Sequence, residues 1–245
     1  MGTDNADPDL MKWSHAVGRK SSCMDYTIDG WCVPLRFPPG EGWYYGGATE
    51  LAGVAVERIS GMNLSDYMAE SVYKPLDMRD TTFYRQSLEE RAADRAAACC
   101  SRDPETRAIH IIPTPVPADP PLLSLGSGLY MTAADHIKAL QSLLRSGAGD
   151  GGLLSKETAD EMFRPQLMDS QRAVLQMVTD MFHNSMVPEF PAGMPLDHGI
   201  SGIINLEDTP GKRRRGSMMW HGMANGRWVG VCKAFTTSSS GVHPN

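Results

Sequence analysis

From Thr49 to Ile59 the apolar residues Leu51, Val54, Ala55 and Ile59 recur at the spacing of one helix face, and Gly61 stands where a left-handed cap closes such a helix. A shorter helical pattern follows from Leu64 to Val72. It stops ahead of Pro75, because proline disfavours helical geometry in the residue before it. Near the start, Asp7-Pro8-Asp9-Leu10-Met11-Lys12-Trp13 predicts a short capped helix with proline at an early position. Between Thr82 and Pro121 the pattern loosens, and prolines at 113, 115, 117, 120 and 121 exclude a central strand or a helix interior, leaving a surface crossing.

Thr132-Ala133-Ala134-Asp135 has the spacing of a capping box and predicts a helix from Ala133 to Arg145, ended by Gly147. Ser155 predicts the cap of a further helix that stops near Arg164-Pro165. From Gly199 to Val231 the pattern becomes that of antiparallel strands. Residues 202–206 and 216–220 flank a turn at Thr209-Pro210-Gly211, with Lys212-Arg213-Arg214-Arg215 at a solvated hairpin tip. No internal repeat and no heptad seam is present.

The chain of 245 residues is long enough to bury a substantial core, and a single domain over 1–245 is the expectation. Its 41% apolar and 21% charged composition is that of a globular protein. A net charge of −6 gives no electrostatic reason to expect nucleic acid as a partner. No stretch approaches the ~18 consecutive apolar residues of a membrane span, so no membrane association is expected. Cys23, Cys32, Cys99, Cys100 and Cys232 are odd in number and scattered, which outlines neither a disulfide framework nor a metal knuckle and favours a reduced, cytoplasmic setting.

No H-E-x-x-H or clustered His and Cys spacing for zinc occurs, and the glycines at 126, 128, 147, 149, 151 and 152 lack the phosphate-loop and dinucleotide spacings. No metal and no cofactor is therefore expected. Gly199-Ile200-Ser201-Gly202 fails as a G-x-S-x-G nucleophile elbow at its final glycine. The sixteen dispersed methionines suit the filling of core gaps.

The stretch most telling of chemistry runs from Phe37 to Phe83. Phe37-Pro38-Pro39-Gly40-Glu41-Gly42-Trp43-Tyr44-Tyr45-Gly46-Gly47 leads into the helix that closes at Gly61, and Lys74-Pro75-Leu76-Asp77-Met78-Arg79-Asp80-Thr81-Thr82-Phe83 follows. This order resembles the tyrosine-bearing half of serine β-lactamase-like and penicillin-binding-protein-like enzymes, in the branch of class C β-lactamase-related esterases and fungal acyltransferases. The resemblance runs with gaps from about Asp7 to Trp228. It implies an α+β, β-lactamase/transpeptidase-like fold, with an antiparallel sheet beside a helical region.

The resemblance also implies serine-dependent ester hydrolysis or acyl transfer on a small-molecule ester or acyl substrate. Such chemistry needs a nucleophile, a base for its proton and donors where the oxyanion develops. Tyr45 matches the catalytic tyrosine, whose phenol nearby cations must lower in pKa before it acts as a base. Trp220-His221-Gly222 matches the strand that replaces K-T-G, expected to supply an oxyanion-binding N–H and a wall for the substrate. A strand-end tyrosine packed beside Trp43 and Tyr44, and an ordinary strand histidine, remain the plainer readings of the same residues. No acidic partner for His221 can be identified, so no triad is built around it.

The family's nucleophile sits in an S-x-x-K motif well before the tyrosine, where this chain has only 44 residues. Ser71-Val72-Tyr73-Lys74 has the letters of that motif but follows the tyrosine, at the end of a helix that is noncatalytic in the family. The sequence therefore reads as a member truncated at both ends, with an incomplete sheet and a disordered polar tail over 232–245. Such a chain is expected to be inactive for want of the nucleophile, or to act as a noncatalytic ligand- or partner-binding relative.

Overall fold

Asp7 starts the first helix as the sequence predicts: its carboxylate accepts from the backbone N–H groups of Asp9 (2.8 Å) and Leu10 (3.1 Å) while Pro8 occupies the first helical position. The molecule is seen in a computed structural model that describes residues 7–92, 95–114, 116–222 and 227–230. The predicted tail, Cys232 and the end of the last predicted strand at Val231 lie outside the described residues. The chain divides into two compact units, residues 1–140 with 222–224 and residues 141–221 with 225–245.

In the first unit the helices are α1 (Pro8–Ala16), α2 (Ile28–Trp31), α3 (Ala48–Ser60), α4 (Leu64–Met68) and α5 (Arg85–Ala92). Gly61 closes α3 with φ +69°, the left-handed cap read from the sequence, a conformation that strains any residue bearing a Cβ. Past α4 the chain widens into a π-helical turn over Ala69–Tyr73, so the predicted helix to Val72 exists but changes its winding before Pro75. Leu64, Tyr73, Met78 and Phe83 form the core here, with Val56, Val72, Leu76, Leu125 and Leu129 packed around them.

The stretch after Thr82 is more ordered than expected. It contains α5 and an antiparallel hairpin of β1 (Cys100–Arg102) and β2 (Ile109–Ile111), in register Cys100↔Ile111. Helix α6 (Ala133–Ala148) runs through Gly147, and Gly149 at φ +76° follows its end. Only half of the capping box forms. Thr132 Oγ1 accepts from the Asp135 N–H (3.2 Å), but the Asp135 carboxylate turns inward to the Asp80 N–H (2.8 Å), Thr81 Oγ1 (2.9 Å) and Lys138 (3.0 Å).

The second unit holds α7 (Lys156–Phe163), α8 (Asp169–Met181), α9 (His183–Met186) and an antiparallel sheet in the order β3 (Leu196–His198), β4 (Ile203–Asn205), β5 (Met218–His221), β6 (Arg227–Gly230). Ser155 Oγ caps α7 by accepting from the Thr158 N–H at 3.2 Å. Phe163 of α7 packs against Ile204 and Met218 of the sheet, all but fully buried.

Asp197 of β3, wholly buried, binds the Arg172 guanidinium of α8 at 2.8 Å and accepts from the Gln166, Leu167 and His198 N–H groups, which anchors the helix to the strand. Lys212, Arg214 and Arg215 of the basic run are exposed as expected, and Arg213 departs from that place. Arg213 pairs with Glu189 at 2.8 Å, lies over the Phe190 ring at 5.2 Å and keeps only 10% of its side chain exposed.

Candidate active site

Tyr45 sits in the segment between α2 and α3, and the packing that fixes this segment is explicit. The Trp31 ring lies against Gly47, where a methyl group would be driven into it, and Phe37 covers Gly42 in the same way. Tyr45 itself is 60% exposed. Its hydroxyl nonetheless lies where burial pushes the phenol above its ordinary value, and Glu50 and Cys23 add to the rise in that order. A base role requires the opposite, a phenol lowered by neighbouring cations.

Beside Tyr45 lies a polar cluster that the sequence reading passed over. Glu50, in the first turn of α3 and only 3% exposed, accepts from Ser124 Oγ (2.7 Å) and the Gly126 N–H (3.1 Å) on Oε1, and from Thr49 Oγ1 (3.0 Å) on Oε2. Ser124 Oγ in turn lies 3.0 Å from Ser127 Oγ, and Ser127 Oγ lies 3.4 Å from the Tyr26 hydroxyl. Glu50 precedes Gly53 and Glu57 on an inward-facing stripe of α3, where Glu57 accepts from the Leu64 N–H at 2.8 Å. The signal that could have found it is this helical spacing of acids within a buried face.

Trp220 and His221 are the last residues of β5, and Gly222 follows directly. Their surroundings within the second unit are aromatic: the Trp220 ring stands edge-on to His198, with centroids 5.8 Å apart, and stacks near His221 at 6.3 Å and 22°. Burial lowers the basicity of His198 against the opposing pull of the Gly199 carbonyl and Asp197, so that imidazole is held neutral beside the tryptophan. A Cβ built on Gly222 meets nothing within 4 Å among the described residues.

Ser71 and Lys74 lie just past the far end of α4, away from the segment that bears Tyr45 in sequence. Both are exposed in the π-helical turn, and the Lys74 ammonium is taken by Glu70. Among the described residues no group of three or more His, Cys, Asp or Glu side chains is arranged to hold a metal ion, and no helix is long and apolar enough to cross a membrane.

The comparison with known families decides the ancestry, because residues 32–230 match the beta-lactamase family model. The chain belongs to the beta-lactamase family. It is 30% identical over 238 residues to a lovastatin esterase of Penicillium rubens, covering 91% of this chain and 56% of that protein. Against a monacolin J acid methylbutanoyltransferase of Aspergillus terreus it is 32% identical over 232 residues, covering 91% and 55%.

Among solved structures it resembles unliganded simvastatin synthase, LovD, from Aspergillus terreus, with a TM-score of 0.80 and 28% identity over 93% of this chain and 56% of that one. The chain thus spans about half the length of the relatives it matches. The mixed helical and antiparallel fold expected from the sequence is the β-lactamase/transpeptidase-like fold of this family.

Proposed function

We propose that this member of the beta-lactamase family carries the tyrosine base and the substrate-side strand of a serine-dependent ester hydrolase or acyltransferase acting on small acyl esters. Tyr45 is the base, Gly222 supplies an oxyanion-directed N–H, and Trp220 and His221 form the wall of the acyl site. The observation that carries the reading is the placement of Tyr45 in a segment whose glycines pack against Trp31 and Phe37 and which leads directly into the buried Glu50 cluster of α3. Relatives named as an esterase and an acyltransferase, each matched over 91% of the chain, support the reaction class.

The raised phenol shapes the mechanism. A tyrosine that stays protonated at neutral pH cannot take a serine's proton, so a cation must approach it before it becomes a base. The lysine of an S-x-x-K motif is the group that would do so, and it would bring the serine nucleophile with it. The one S-x-x-K within these 245 residues, Ser71 to Lys74, has its lysine bound to Glu70.

The 245-residue chain by itself is therefore predicted to hydrolyse a chromogenic butyrate ester at the buffer rate and to leave Ser71 unlabelled by a fluorophosphonate probe. Labelling of Ser71, together with turnover lost in Ser71→Ala, would overturn this assignment of roles.

A further inference from the structure

We propose that Glu50 is a positioning residue of the Tyr45 site: it clamps the Ser124–Gly128 loop to the first turn of α3, which follows the tyrosine segment, and so orders Ser127 and Tyr26. The inference rests on the reading of Tyr45 as the base. Its starting point is that a carboxylate is 3% exposed where an exposed acid would gain the same favourable contact with a helix N-terminus without desolvation. A polar amide would also suffice for the two donors on Oε1. The charge must therefore be accounted for by what it organises.

What it organises is a loop 74 to 76 residues away in sequence. The short Ser124 Oγ bond (2.7 Å) and the Gly126 N–H bond (3.1 Å) converge on one oxygen of Glu50, and Gly126 has no side chain because a methyl group there would strike that same oxygen. Ser124 passes the order on, since its Oγ accepts from the Ser127 N–H (3.0 Å) and meets Ser127 Oγ (3.0 Å). Ser127 Oγ reaches the hydroxyl of Tyr26.

Tyr26 is 5% exposed and adopts φ +51°, a left-handed conformation that a tyrosine keeps only where its surroundings dictate it. The capping box of Ser22 and Asp25 fixes the turn from below, with the Ser22 N–H donating to Asp25 at 2.7 Å. Cys23 in that turn and Glu50 on α3 are the titratable groups that act on the Tyr45 phenol, so the clamp and the electrostatic setting of the base share one residue.

The test is a pH titration of tyrosine ring carbons by NMR in the 245-residue chain, with Tyr45 assigned by Tyr45→Phe. In Glu50→Gln, which keeps an Oε1 acceptor but not the charge, the Tyr45 midpoint should fall, and in Glu50→Ala, which removes the clamp, the Tyr26 resonance should move. Glu50→Asp, which keeps the charge, should return the midpoint toward that of the parent. A folded Glu50→Gln chain with an unchanged Tyr45 midpoint, or a folded Glu50→Ala chain with an unmoved Tyr26 resonance, would overturn the proposal.

Should Glu50→Gln fail to fold, Ser124→Ala breaks the clamp and keeps the carboxylate. Movement of the Tyr26 resonance is then expected, and a Tyr26 resonance identical to the parent's refutes the clamp. None of these readouts uses turnover. In a chain joined to an S-x-x-K segment, a Tyr45→Phe change without effect on ester hydrolysis would sink the base assignment while leaving the titration result standing.

Discussion

Tyr45 and Tyr73 show how little a residue's type says about its role. Both phenols are raised by burial, yet Tyr45 is 60% exposed in a loop, whereas Tyr73 is 7% exposed in the core beside Leu64 and Phe83, its hydroxyl without a hydrogen-bond partner among the described residues. An unsatisfied buried hydroxyl costs about 1–3 kcal/mol. Tyr73→Phe should therefore raise stability by about 1 kcal/mol, read as a higher urea midpoint with unchanged slope.

The pH dependence of Tyr73 has a definite sign. The folded state keeps the Tyr73 proton above the pH at which the unfolded chain releases it, so the contribution of this group is constant below about pH 10 and is lost as pH rises beyond that. Tyr73→Phe should flatten that alkaline decline, and an equally steep decline in the variant would contradict the account.

Tyr45 stands out in the sequence as a candidate because its neighbours Trp43, Gly46 and Gly47 form a recognisable phrase. Glu50 does not. The helical spacing of acids on α3 is a weak signal, and two of the three partners that bury Glu50, Ser124 and Gly126, lie more than 70 residues away.

At the level of elements, what could be read from sequence followed the strength of local signals. Helix α3 combines apolar periodicity with a glycine cap, and α7 has a serine cap, so both appeared where expected. Helix α5 was invisible because Leu88 is its one large apolar residue, and it is supported instead by pairs four apart, Arg85 with Glu89 (2.8 Å) and Gln86 with Glu90 (3.4 Å).

Helix α8 carries a good apolar stripe, but Met168 precedes it without a side-chain cap, so no start signal marked it. The hairpin β1–β2 is three residues long on each side and exposed throughout, leaving no alternation of burial to detect. Helix α8 is held to β3 by Arg172 and Asp197. Asp197→Ala should destabilise the fold by about 3 kcal/mol, less than a fully buried pair because Arg172 is partly solvated, as measured by chemical denaturation. A change under half a kcal/mol, roughly the scale of a neutral surface substitution, would show that the anchor is not structural.

At the scale of the whole molecule, membership of the beta-lactamase family and the resemblance to LovD fix the fold, while the share of those relatives' length that the chain covers, about half, leaves the reaction to be assembled from parts. The tyrosine, the Glu50 clamp and the Trp220-His221-Gly222 strand are the parts described in this chain. On the proposed reading Tyr45 is a base that a cation must approach, and the one S-x-x-K lysine in the 245 residues is paired with Glu70.

The measurement that bears most directly on this account is ester turnover after an S-x-x-K segment, taken from the lovastatin esterase of Penicillium rubens, has been joined ahead of the chain, with and without Tyr45→Phe. The joined protein should hydrolyse a butyrate ester, and Tyr45→Phe should reduce its kcat by about 100-fold or more, the range for loss of a positioned general base. A joined enzyme whose kcat is the same with phenylalanine at that position would contradict the central claim that Tyr45 is the base.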